Sequence, residues 1–205
     1  MNKRINVIGN GDYAQLFLKD KEKHGLNIVC NMPPFDIPAK DVYASCMVDF
    51  KMMKALTEGS LNLDMYNWVL GNRPKKWMEM KPSFYMKYAL NIKDFYLTVP
   101  KYAGNATNFN CGHMAVHYSA NKLQATEIHM YGFDSLFDAS IRSVTDFYLN
   151  SDKGDNNSFR LINIWRPLWL NIFKEFPNTT FVLHHKHSQL KMENIPKNVE
   201  VQVHG

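Results

Sequence analysis

An apolar run stops at Gly9-Asn10-Gly11-Asp12-Tyr13-Ala14. This G-x-G-x-x-A turn suits a nucleotide: glycines let the backbone approach a phosphate or ribose, and a following helix offers N–H groups and partial positive charge. Similar polar stops recur downstream. Asn31 follows the run 26–30 and Asp49 the run 42–48; the turn Asn108-Phe109-Asn110-Cys111-Gly112 and then Gly132-Phe133-Asp134 come after them. Asp138, Arg142 and Asp146 continue from the last at roughly helical spacing. A dinucleotide site wants an acidic residue where Asn31 stands, so a NAD-type reading is set aside. A tight turn without a ligand remains the plain alternative at Gly9–Gly11.

Other chemistries lack their residues. There is no G-x-x-x-x-G-K-[ST], no H-E-x-x-H, no paired C-x-x-C and no Asp-x-Asp to hold a divalent ion on a diphosphate. His113 and His117 lie one helical turn apart and read as helix-surface histidines rather than metal ligands, so no metal is expected. His184, His185 and His187 cluster where another apolar run ends. Strand alternation puts His185 and His187 on one face, and His185 is a candidate general base.

These stops need elements to position them. Runs at 4–8, 26–30, 42–48, 68–70, 126–131 and 180–184 predict strands; 12–24, 50–56, 84–90, 111–123 (capped by Asn110) and 161–176 predict helices. The alternation predicts an α/β fold, a single Rossmann-like domain over 1–205 with a mainly parallel sheet and helices on both faces. Ligands bind off the carboxyl ends of such strands, where the polar stops fall.

The 205 residues carry a net charge of +5. Three cysteines, an odd number in apolar runs, argue against a disulfide framework and for a reducing compartment. No apolar run reaches membrane-spanning length and the N-terminus leads straight into a strand, so a cytoplasmic protein without anchor or secretion signal is expected. The charge is concentrated. Between Arg73 and Lys101 seven basic residues face only Glu79 and Asp94, within an aromatic-rich stretch at about 60–105. Cations and interleaved rings suit a nucleic acid, with Arg73, Lys75, Lys76, Trp77 and Lys81 as acceptor-binding candidates. The bland alternative is a solvated helix whose rings face the core.

The series of strand-end residues resembles the small, single-domain, metal-independent bacterial sialyltransferases that use a CMP-sugar donor. In that family the first strand ends in Gly-Asn-Gly, as at Gly9-Asn10-Gly11, and the second in Cys-Asn, as at Cys30-Asn31. The third ends in an Asn that Asp49 replaces; a Thr-Ser-Gly turn matches Asn110-Cys111-Gly112, and Gly-hydrophobic-Asp matches Gly132-Phe133-Asp134. The similarity is short and scattered over about residues 4–136. It implies a nucleotide-sugar donor held by Gly9, Asn10, Gly11, Asp12, Asn31, Asp49, Asn110, Cys111, Gly112 and Gly132, with no cofactor or metal.

The departures carry information too. The family's Arg that meets the donor carboxylate falls near Asn108, and 74–141 contains no Arg, which implies a neutral sugar such as a pentose. The family's phosphate-steadying tyrosines fall near Leu136 and Arg142, and Arg142 can take their place. The family's catalytic His falls in 152–158, which has none, so base duty passes to Asp134, Asp138 or His185. Compact length with lysine- and methionine-rich usage resembles tailed-phage proteins, some of which glycosylate hydroxymethylcytosine in their own DNA with glucose or arabinose. With the basic segment, this makes DNA the expected acceptor. A glycan-directed transferase and a nucleotide-binding module without transfer chemistry are the alternatives.

Overall fold

The computed structural model describes residues 3–137 and 157–205. Eight strands form one sheet: β1 (Arg4–Ile8), β2 (Leu26–Cys30), β3 (Ala44–Met47), β4 (Trp68–Leu70), β5 (Ile92–Phe95), β6 (Glu127–Tyr131), β7 (Thr180–His185) and β8 (Val199–Val203). Their order is β5-β4-β3-β2-β1-β6-β7-β8, and every pairing is parallel. The chain builds outward from β1 to β5, returns, and adds β6 on the other side of β1. The order therefore reverses between β1 and β6, which is where a crevice opens in Rossmann-like sheets.

The helices are α1 (Leu16–Lys19), α2 (Phe50–Glu58), α3 (Asn72–Met80), α4 (Pro82–Tyr88), α5 (Cys111–Asn121), α6 (Asn157–Arg160) and α7 (Arg166–Glu175). A π-turn at Leu161–Trp165 joins the last two into one rod. Asn110 caps α5 as expected: its side chain accepts the His113 N–H, and His113 Nδ1 accepts the Asn110 N–H. One sheet face, with Ile5, Val7, Ile28, Cys46, Ile128, Met130, Phe181 and Leu183, packs against Met114, Val116 and Tyr118 of α5 and Trp169, Ile172 and Phe173 of α7. On the other face Met47, Trp68 and Leu70 pack against α2, α3 and α4, and Ile8, Val29 and Tyr131 against α1 and the chain around Ile37 and Val42.

Some expectations need correction. The helix expected at 12–24 ends at Lys19, because the Asp20 carboxylate turns inward to Arg4 and Tyr131 and also accepts the Glu22 N–H. α3, β5 and β8 are elements the sequence reading did not assign. His113 and His117 are not surface histidines but fully buried, the first against the Trp165 carbonyl, the second between Tyr96 and Glu175. Among the described residues, no helix is long and apolar enough to cross a membrane.

Candidate functional site at the carboxyl rim of the sheet

The ends of β1 and β6 are locked together. The Gly9 N–H donates to the Tyr131 carbonyl (2.7 Å) and the Gly11 N–H to the Gly132 carbonyl (3.0 Å). A Cβ on Gly9 would stand 2.7 Å from the Gly132 oxygen, and one on Gly11 would stand 2.6 Å from the Asp134 carboxylate. Gly132 has φ +73°, and a Cβ there would meet Ala14 Cβ at 2.7 Å. The close approach that G-x-G-x-x-A provides is thus made by the protein's own β6 loop. The plain reading of the turn accounts for its glycines and for Ala14.

Asp134 sits on this seam. Its Oδ2 accepts the Tyr13 N–H at 3.1 Å, at the start of the short 3-10 helix Asp12–Gln15. Asp12 itself is exposed. His185 lies on the same rim: its ring stacks on Phe137 (4.0 Å between centroids) and meets the edge of Tyr13 (4.3 Å), while Nδ1 accepts the His187 N–H. Tyr13 therefore joins both described base candidates. Asp138 and Arg142 lie outside the described residues.

On the β2 side, Asn10 donates through Nδ2 to the Met32 carbonyl at 2.8 Å, tying the first strand end to the second. Asn31 is buried and adopts φ 60°, a left-handed conformation that Asn tolerates better than most residues. Its N–H donates to the Cys46 carbonyl and its own carbonyl accepts the Ser45 hydroxyl. Its side-chain Oδ1 is buried with no hydrogen-bond partner among the described residues. Buried acceptors are nearly always paired, so this oxygen marks a place where a donor belongs.

The three free cysteines also meet here. Cys30 and Cys46 are direct partners across β2 and β3, and a hydrogen bond from the Cys30 thiol to Cys111, together with burial, pushes the Cys30 thiol well up. The α5 N-terminus is partly self-satisfied, since Asn110 occupies the His113 N–H. A Cβ on Gly112 would come 3.0 Å from the Phe133 ring. Asp49 ion-pairs with Arg73 at 2.5 Å, both side chains largely buried. Arg73, with Val48, Gly71, Tyr96, Phe109 and Met114, lines a cavity of about 10 Å³, room for about one water.

The acceptor candidates are spread out. Arg73 serves the rim, Lys75 pairs with Glu79, and Lys81 lies over the Trp77 ring at 4.6 Å. Lys76 is exposed. Phe84, Tyr88 and Tyr96 are buried and Trp77 is half-buried, so these rings serve the core, as the bland alternative had it; Tyr85 is exposed. A larger cleft, about 710 Å³, lies at the opposite, amino edge of the strands, between Phe17, Lys23, Asp36, Lys40, Tyr43 and Lys93. No motif pointed there.

A second polar cluster escaped the sequence reading. Asp20, His129 and His184 bring their ligand atoms within 4.8 Å of one another on the sheet face away from α5. Their wide separation in the chain left no local spacing to find. The only signal was that His129 and His184 fall inside apolar strands.

The fold and rim define a Rossmann-like parallel α/β protein. Comparison of the chain with family models, with curated proteins and with solved structures gave no match.

Proposed function

We propose that the chain is a glycosyltransferase that binds a nucleotide-sugar donor at the carboxyl rim between β2, β1 and β6. The observation that carries this reading is the buried Oδ1 of Asn31, without a hydrogen-bond partner among the described residues and beside the point where the strand order reverses. A nucleoside hydroxyl or base N–H supplies the missing donor. Asp134, held by the Tyr13 amide, takes the proton from an acceptor hydroxyl as that oxygen attacks the anomeric carbon. The bond to the nucleotide phosphate breaks as the new glycosidic bond forms. The leaving phosphate is met by the first amides of α5 and by the guanidinium of Arg73, which moves from the acceptor set to the donor side. The sugar is neutral, and the acceptor is hydroxymethylcytosine in DNA, approached over Lys76 and its basic neighbours.

The test is incubation with a panel of nucleotide sugars and either plain or hydroxymethylated DNA, read by mass measurement of the nucleosides. Transfer to the hydroxymethylated DNA alone is the expected result. Asn31→Gly keeps the left-handed backbone and deletes Oδ1, so it should weaken nucleotide binding about ten-fold, the worth of about one hydrogen bond. Nucleotide binding without transfer to any acceptor would leave a binding module. No nucleotide binding at all would overturn the reading.

A further inference from the structure

The face of β1, β6 and β7 turned away from α5 and α7 carries Arg4, Asn6, His129 and His184, which are 6, 1, 7 and 4% exposed. Polar groups so deep are costly unless each is held. Here they are held in a definite order. His129 Nδ1 and His184 Nε2 face each other at 2.7 Å. Beyond them, His129 Nε2 meets the Glu127 carboxylate, and His184 Nδ1 meets His204 Nε2 at 2.8 Å. Asp20 closes the third side. Its Oδ2 accepts from the Tyr131 hydroxyl (2.5 Å) and from Arg4 (3.1 Å), and the Tyr131 ring lies flat on His184, 4.0 Å between centroids.

The geometry points to a binding site for a divalent transition ion, zinc by chemical class, with Asp20, His129 and His184 as ligands. Imidazole nitrogen and carboxylate oxygen are a zinc donor set, and three protein ligands leave one tetrahedral position. Bonds of about 2.0–2.1 Å ask the two facing nitrogens to part from 2.7 Å to about 3.3 Å, a small rotation of either ring. The supporting shell is already in place. Glu127 on the far nitrogen of His129 and His204 on that of His184 are the partners that orient metal-bound histidines.

Protonation is also suitable. Each ring turns one nitrogen toward the other ring and the second toward an outer partner, Glu127 for His129 and His204 for His184, so neutral imidazoles satisfy every contact. Without an ion, the hydrogen-bond order assigns every N–H toward Glu127: His204 to His184, His184 to His129, His129 to the carboxylate. With an ion on His184 Nε2, His184 and His204 would both shift to the Nδ1–H tautomer, and no proton need leave. Asp20, Glu127 and Arg4 together present one net negative charge to the ion. Arg4 is the competing cation, so binding is weaker than in an all-anionic site.

The ion would fasten the loop after α1 to β6 and β7. The site is on the other sheet face from α5, so it stands independently of the transfer reading. The test is titration of the chelator-treated full chain with zinc chloride, and with cobalt chloride as a coloured probe. A single equivalent retained through gel filtration, a raised Tm and a tetrahedral cobalt spectrum are expected. Glu127→Gln should weaken zinc binding about 10- to 100-fold, and His184→Gln should abolish it, while His187→Ala leaves it unchanged. Failure of the wild-type chain to retain zinc would overturn the proposal whatever the variants do. Unchanged zinc affinity in a folded His184→Gln or Asp20→Asn protein would overturn it equally.

Discussion

The two faces of the sheet solve the same burial problem in different ways. Against α5 and α7 the strands present Ile5, Val7, Ile128, Met130, Phe181 and Leu183, and stability there comes from apolar area and close packing. One residue along, the same strands present Arg4, Asn6, His129 and His184 to the other side. That polar patch, beside the apolar cluster of Ile8, Val29 and Tyr131, is stable only because its groups hold one another: Arg4 with Asp20 and Asn6, His129 with Glu127, His184 with His204. An apolar face tolerates change in proportion to volume lost. A polar one fails at the first unmatched group.

The comparison can be broken most sharply on the apolar side. Phe173→Ala empties a fully buried site between α7 and the sheet and should cost about 3–5 kcal/mol, read as a lower urea midpoint with little change in m. On the polar side, Asp20→Ala leaves Arg4 buried without its ion-pair partner and should cost about 3 kcal/mol by the same measurement. The double variant Arg4→Met with Asp20→Leu should lose less than Asp20→Ala alone, since a matched apolar pair replaces a matched charged pair. Equal losses in single and double variants would show that the two faces do not differ in kind.

Gly132→Ala should cost about 1–2 kcal/mol from the left-handed backbone alone, with the Ala14 contact adding to it. Thermal melting is enough to see it. The smallest effect sharpens the contrast from within α5. Burial holds His117 below its ordinary 6.5 even though Glu175 opposes this. The unfolded chain then binds more protons than the native one below about pH 6.5, so stability present above that pH is lost as pH falls. The loss is up to about 1.4 kcal/mol per pH unit for this group, and His117→Gln should remove it from the urea midpoint's pH dependence.

Much of this architecture is legible in the residues. Continuous apolar runs ending in Gly or Asn mark β1, β2 and β6 because a parallel sheet buries both faces. Asn110 marks the start of α5 because its side chain has an orphan N–H to satisfy. α3 is obscured by Pro74 and by a basic first turn with little apolar rhythm, and β5 by Lys93 and Asp94 at a half-exposed edge. β8 could have been found: Val199, Val201 and Val203 alternate with Glu200 and Gln202. At the rim, the glycine turn is visible as a pattern, but its partner is Gly132, far along the chain, so local spacing cannot tell a ligand's approach from a neighbour strand's. The orphan Asn31 oxygen is likewise a property of packing and not of composition.

The π-turn at Leu161–Trp165 holds a residue more than an ordinary helical turn needs. It re-phases the rod, so that Leu161 at its start and Trp169 after it are both buried. Shortening the chain by a residue in this turn is therefore a change the helix can absorb by tightening to regular α geometry. The same deletion inside α5, enclosed on every side from Gly112 to Ala120, would have no slack to draw on.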